Sequence, residues 1–254
     1  MTAWGDGLRL AFGTLSVLPA GMPSRVDREV GGRAMILAPV VGMVLGGVAA
    51  GVVAVVQLVQ PDADLLAAVL AVLVVAGLSG ALHLDGLADF ADALGSRRDR
   101  ETMLRIMKQS DIGPFGVVAI VGVLLVDVAA LTSCIQSGLG WQAALIATTA
   151  SRLTLPWSCR TTIPAARPDG LGVMVAGTVR PITAAICTVV VLAAAQALVW
   201  PEYGAAVAVL LAVVTSLVVT RRAHTTLGGT TGDVLGAAVE LAAPVALVAL
   251  ALTA

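Results

Sequence analysis

Seven long apolar runs, at about 34–58, 64–83, 114–135, 140–159, 181–200, 203–220 and 234–253, leave this chain few folds to choose from. Each is close to the ~20 residues an α-helix needs to cross a bilayer. Only 12% of the residues are charged and the mean hydropathy is +0.98, whereas a soluble domain is about one-quarter charged. The chain therefore reads as an all-α polytopic membrane helix bundle, with about seven transmembrane helices in a single domain over 1–254. Ahead of the runs, Trp4, Leu8, Ala11, Phe12 and Leu15 recur at helical spacing, with Asp6 and Arg9 off that stripe. This predicts an amphipathic helix lying in the membrane interface. The same two charges, with no small-residue cleavage site after them, argue against a cleaved signal sequence.

The basic residues alternate with the runs. Arg9, Arg25, Arg28 and Arg33 precede the first. Arg97, Arg98, Arg100, Arg105 and Lys108 lie in the long 84–113 connection, Arg160, Arg167 and Arg180 in 160–180, and Arg221 and Arg222 in 221–233. The short connections near 61–64, 136–138 and 201–203 hold none. Positive charge is retained on the cytoplasmic side, so the N-terminus and the long connections are expected there, in a cell membrane. The basic residues are spread over several loops without interleaved aromatics, so nucleic-acid binding is not expected. Cys134, Cys159 and Cys187 are far apart, in or beside apolar runs, and read as packing residues.

The most informative polar motif is His83-Leu84-Asp85-Gly86-Leu87-Ala88-Asp89-Phe90-Ala91-Asp92. On a helix, Asp89 lies about 40° from Asp85 and Asp92 about 20° to the other side, so the three carboxylates share one face. Like charges this close repel unless a cation sits among them, and oxygen ligands suit Mg²⁺ or Mn²⁺. The alternative is a solvated helix face that happens to be acidic. His83 is read as a structural or supporting residue at a span end.

Other polar residues fall where apolar ones are expected. Arg152, after Ser151, lies inside the fourth run; it can hold phosphate or the carboxylates bidentately, or pair structurally with Asp127 of the third run. Gly228-Gly229-Thr230-Thr231-Gly232-Asp233 opens the last run. Glycines there let backbone N–H groups approach an anion at a helix start, and Asp233 and Glu240 share a helix face. A flexible turn with an Asp near a helix start is the plainer reading. In Lys108-Gln109-Ser110-Asp111-Ile112-Gly113-Pro114, Pro114 suits a first helical position, and Lys108 either meets a phosphate or flanks the membrane.

Gly31 through Gly46 (GGRAMILAPVVGMVLG), His83 through Gly95, Ile106 through Gly116, Ser151-Arg152, Asp169-Gly170-Leu171-Gly172 and Gly228 through Leu241 together resemble the cobalamin synthase family, the adenosylcobinamide-GDP ribazoletransferases. The order and spacing match over nearly the whole chain. Two stretches depart from the family. Phe12 through Pro19 lacks the family's Arg, and Lys108-Gln109-Ser110-Asp111 stands where many members have Lys-Asp-Ser-Arg.

The resemblance implies the last step of cobalamin nucleotide-loop assembly. The 3′-hydroxyl of α-ribazole, or of its 5′-phosphate, would attack the corrinoid-bearing phosphorus of adenosylcobinamide-GDP and release GMP, with Mg²⁺ required. On that reading Asp85, Asp89, Asp92 and Asp233 hold metal, with Asp92 the candidate proton acceptor. Ser151, Arg152, Lys108, Gly229, Thr231, Gly232, Glu240 and His83 line the substrate site. Expected partners are the two substrates and the lipid bilayer, with a homo-oligomer left open. A CDP-alcohol-type phosphotransferase and, in a different class, an ion-coupled transporter are the alternatives. Transporters usually place carboxylates near the midplane at a repeat interface; here the acidic motifs fall at span ends and no internal repeat is found.

Overall fold

Every apolar run forms a helix, but not every run forms a span. The structure is a computed structural model that describes residues 3–201 and 203–254; Glu202, in the connection at 201–203, lies outside the described residues. Twelve helices occur among them: α1 (Ala3–Leu15), α2 (Arg28–Val59), α3 (Asp64–Leu78), α4 (Leu82–Gly95), α5 (Arg100–Ile106), α6 (Pro114–Gln136), α7 (Gly140–Arg152), α8 (Thr154–Ser158), α9 (Gly170–Val175), α10 (Pro181–Leu198), α11 (Gly204–Leu227) and α12 (Gly232–Thr253). Five of these, α2, α6, α10, α11 and α12, are long and apolar enough to cross a membrane, and α3 with α4 would make a sixth. The chain is thus an all-α, multi-pass membrane bundle.

Against the expected count of about seven, five or six helices among the described residues meet the length and hydropathy of a span. The 140–159 run breaks at Arg152 into the 13-residue α7 and the 5-residue α8. Ala143, Ala144, Ala147 and Ala150 of α7 are buried. The Gly42-x-x-x-Gly46 pair of α2 accepts α7 at backbone distance: a Cβ on Gly42 would lie 2.7 Å from the Thr148 carbonyl oxygen, and one on Gly46 would lie 3.0 Å from Leu145 Cα. Small residues at such spacing let helices pack in lipid without a hydrophobic driving force. These alanines of α7, with Ile146, face protein, while Trp141 is exposed.

The second run also changes direction. Gly80 and Ala81 both adopt left-handed backbone, φ 60° and 55°, which a helix cannot continue through. The chain turns by 87° between α3 and α4. The acidic motif is therefore carried on a helix turned sharply away from α3. There it packs on α12, the most deeply enclosed of the long helices, with 72% of its apolar window buried against 22–44% for the other four.

Helix α1 forms as expected, but its buried face differs. Asp6, expected to face water, is 1% exposed and accepts hydrogen bonds from the Ser24 backbone N–H (2.8 Å) and hydroxyl (2.5 Å). Gly7 brings the helix onto Arg33 of α2, while Trp4 and Leu8 stay outward. Close approach through Gly7 has overridden the apolar stripe.

Candidate active site

Two motifs nearly 150 residues apart meet because glycines hold α4 against α12. A Cβ on Gly86 would lie 2.9 Å from Asp233 Cα, and one on Gly236 would lie 3.0 Å from the His83 carbonyl oxygen. These two contacts, on adjacent turns of α12, place Asp85 beside Asp233. Both carboxylates line one cleft with Gly86, Gly232, His83 and Arg167. Asp233 sits in the first turn of α12, where the helix dipole favours a negative charge. The hydroxyl of Thr231 donates to it at 3.2 Å.

Asp89 lies one turn beyond Asp85. Burial first, then the charges of Asp85, Asp233 and Asp92, push its carboxyl up to about 7. That crowding of like charges is the condition a divalent cation relieves. Among the described residues, however, no three carboxylate, imidazole or thiol groups are gathered closely enough to hold one ion. An open arrangement of this kind suits Mg²⁺, which takes one or two carboxylates and completes its shell with water and substrate phosphates. The donor set fits; a closed all-protein cage is absent.

Asp92 lies on the same continuous helix as Asp85 and Asp89, but its carboxylate is already engaged. Its two oxygens accept the backbone N–H groups of Gly113 (2.7 Å) and Gly116 (3.0 Å), at the start of α6, where Pro114 occupies the expected early position. Asp92 thereby fastens α4 to α6, with both oxygens engaged.

The glycine-rich segment is also occupied by the protein itself. The Thr230 N–H donates to the Pro164 carbonyl (2.9 Å), and Ala166 N–H donates to the Thr230 carbonyl (2.9 Å). A side chain on Gly229 would collide with Pro164 and Ala165. The Thr231 hydroxyl caps α12 by accepting the Val234 N–H at 3.2 Å. Gly229 and Thr231, expected on substrate phosphate, instead seat the 160–180 connection against α12; Gly232 remains on the cleft.

Arg152 and Glu240 do not line that cleft. They face a second, interior cavity together with Asp127 and Thr148. Arg152 is 1% exposed. One guanidinium nitrogen donates to Ser151 Oγ at 3.0 Å, while its Nε and Nη2, like Asp127 Oδ1, have no hydrogen-bond partner. Arg152 and Asp127 share this cavity without forming an ion pair. His83 stands between the two cavities: it lines the cleft, and its Nδ1 lies 3.9 Å from Glu240 Oε1.

The cation that does face the carboxylates is Arg167, which the sequence reading passed over. Its Nη2 lies 3.5 Å from Asp233 Oδ2 and its Nε 3.4 Å from Asp169 Oδ1. Lys108, expected on phosphate, forms a 2.6 Å ion pair with Asp169. Asp169 is exposed, and the hydrogen bond from Lys108 holds its carboxyl below the usual range. The three long basic connections converge here. Arg100 of the first donates to the Leu227 carbonyl (2.7 Å) and the Ala166 carbonyl (2.6 Å) of the other two.

The family model described as cobalamin-5-phosphate synthase matches residues 7–251. Curated relatives named adenosylcobinamide-GDP ribazoletransferase are similar over nearly the whole chain. The Frankia casuarinae protein is 41% identical, covering 96% of this chain and 94% of its own length. The Nocardioides sp. protein is 41% identical, covering 96% and 97%. The Pseudomonas paraeruginosa protein is 38% identical, covering 97% and 98%. No solved structure matches the chain.

Proposed function

The chain belongs to the cobalamin-5-phosphate synthase family, and from that premise we propose that it joins adenosylcobinamide-GDP to α-ribazole, or to α-ribazole 5′-phosphate, releasing GMP. The observation that carries this reading is the meeting of Asp85 and Asp233 in one cleft with Arg167. Displacement at a diphosphate needs anionic oxygens neutralised and a hydroxyl aimed at phosphorus. A cleft that sets a guanidinium beside its carboxylates offers both kinds of contact.

Asp85 and Asp233, with Asp89 beside them, would hold Mg²⁺. Bound there, the ion would neutralise diphosphate oxygens and stabilise the departing phosphate. The ribazole hydroxyl oxygen bonds to the corrinoid-bearing phosphorus as the bond from that phosphorus to GMP breaks. The hydroxyl proton passes to a carboxylate. Asp92 is poorly suited, because both its oxygens already accept backbone N–H groups. Asp89, one turn beyond Asp85 on the same helix, is the better-placed acceptor.

The three basic connections converge at the cleft, which supports a cytoplasmic-facing site in the cell membrane by the charge rule. Purified protein supplied with adenosylcobinamide-GDP, α-ribazole and Mg²⁺ should release GMP and cobalamin in equal amounts. Absence of product with active-site occupancy by both substrates would overturn the assignment.

A further inference from the structure

Arg167 sits in the cleft with its hydrogen-bonding capacity unfilled. Its two ionic contacts, at 3.4 and 3.5 Å, are longer than the 2.7–2.9 Å of a well-formed charge-assisted bond. Its Nη1 is shielded from water and has no partner. A planar guanidinium with one unengaged nitrogen, facing carboxylates that would carry a cation, is built for an anion with several oxygens.

Asp169 is the other half of the observation. It occupies the N-cap position of α9, yet its side chain makes no cap hydrogen bond. An Asp at this position normally accepts an N–H of its own helix. Here the carboxylate turns outward to Lys108 and Arg167 instead. Gly170, at φ +79°, supplies the left-handed turn after it, and a Cβ there would lie 3.6 Å from Arg167 Nη2. A carboxylate and a phosphate present the same acceptor oxygens to a guanidinium. Asp169 therefore stands where a phosphate group would compete with it, and Lys108 already holds its other oxygen.

We infer that Arg167 is the substrate-phosphate clamp of this cleft, that Asp169 is shared between Lys108 and Arg167 when no phosphate is bound, and that Asp169 gives up Arg167 and stays on Lys108 alone when a phosphate arrives. This rests on the diphosphate chemistry proposed above and adds to it a residue and an exchange. Both Lys108 and Asp169 are more than half exposed. Exposed ion pairs are weak, so the exchange opposes binding only slightly. The arrangement predicts opposite signs for the two members of one ion pair. Removing Asp169 removes the competitor. Removing Lys108 removes the alternative partner and leaves Asp169 on Arg167.

The test is binding of inorganic pyrophosphate, at fixed Mg²⁺, to the detergent-solubilised full chain by calorimetry. Arg167→Gln should weaken binding about 10- to 100-fold, the loss of hydrogen bonds to a charged partner, and Arg167→Lys should restore it only in part. Asp169→Asn should tighten binding by up to about fivefold, and Lys108→Met should weaken it to a similar degree. The Lys108→Met/Asp169→Asn double variant should match Asp169→Asn alone. If Asp169→Asn and Lys108→Met both weaken binding, the pair is only a structural tie and the exchange is wrong. If Arg167→Gln binds pyrophosphate like wild type, the clamp is wrong. Turnover separates the two levels: wild type that makes no cobalamin while these signs hold overturns the proposed reaction alone, and reversed signs with turnover intact overturn the exchange alone.

Discussion

Gly86 rests its Cα on the backbone of Asp233, so closely that a Cβ would sit 2.9 Å from both the Asp233 Cα and its carbonyl oxygen. This contact, not a side-chain bond, sets how far Asp85 stands from Asp233. The cleft is built on a backbone-to-backbone contact between α4 and α12, and its spacing is fixed by the absence of one methyl group.

Gly86→Ala should therefore push the two helices apart. A misplacement near 1 Å can lower a rate about 100-fold, and turnover should fall by roughly tenfold to 100-fold while the protein still folds. Gly47→Ala on α2, where a Cβ meets nothing within 4 Å, is the control and should leave turnover alone. A Gly86→Ala enzyme with unchanged turnover would show that the Asp85–Asp233 spacing is not critical.

Asp6 gives α1 a pH dependence. Its carboxyl is held below the ordinary value of 3.8 first by the Ser24 side-chain hydrogen bond, then by the Ser24 backbone N–H. A folded-state value below the unfolded one stabilises the protein above about pH 4, and that contribution is lost as the pH falls through the lowered value. Acid unfolding followed by tryptophan fluorescence should occur at higher pH in Ser24→Ala, because the carboxylate then loses its hydroxyl donor. Identical acid midpoints would remove this tie from the account.

What could be read from the sequence was what is local in it. The common face of Asp85 and Asp89, the helix start at Pro114 and the opening of α12 at Thr231 each follow from residues within two turns of each other. Arg167 was hidden because nothing near it in sequence marks it out. It reaches the cleft only because Ala165 and Thr230 form a bridge 65 residues apart. The backbone bonds of Asp92 were hidden for the same reason, since its partner Gly113 lies 21 residues on. The fourth run was taken for a span because burial in protein and burial in lipid demand the same apolar composition. The break after Arg152 into two short helices could not be seen from that composition.

Arg152 should behave as a residue of the interior rather than of the substrate cleft. It shares its cavity with Asp127 and Glu240, and removing the one cation would leave two acids facing an apolar lining. Breaking a buried charge set by deleting one partner costs about 3–5 kcal/mol. Arg152→Leu should lower the thermal midpoint in detergent sharply, and Arg152→Lys less so. The KM for adenosylcobinamide-GDP should stay near wild type at a permissive temperature. A normal midpoint with a raised KM would return Arg152 to the substrate site.

Asp85 and Asp92 share a helix but should fail differently when neutralised. Asp85 lines the cleft, whereas Asp92 accepts two N–H groups at the start of α6. An amide at 85 is a far weaker ligand for Mg²⁺ than a carboxylate. Asp85→Asn and Asp233→Asn should thus lower turnover by orders of magnitude and shift the Mg²⁺ requirement upward, with thermal stability near wild type. Asp92→Asn keeps one carbonyl acceptor and loses the second along with the charge. It should cost about 1.5–3 kcal/mol of stability and leave the Mg²⁺ concentration for half-maximal rate unchanged. Chelator should abolish wild-type turnover, and added Mg²⁺ should restore it. If chelator has no effect, none of these carboxylates is a metal ligand. If Asp92→Asn shifts the Mg²⁺ requirement as far as Asp85→Asn does, Asp92 belongs to the metal site despite its two backbone bonds.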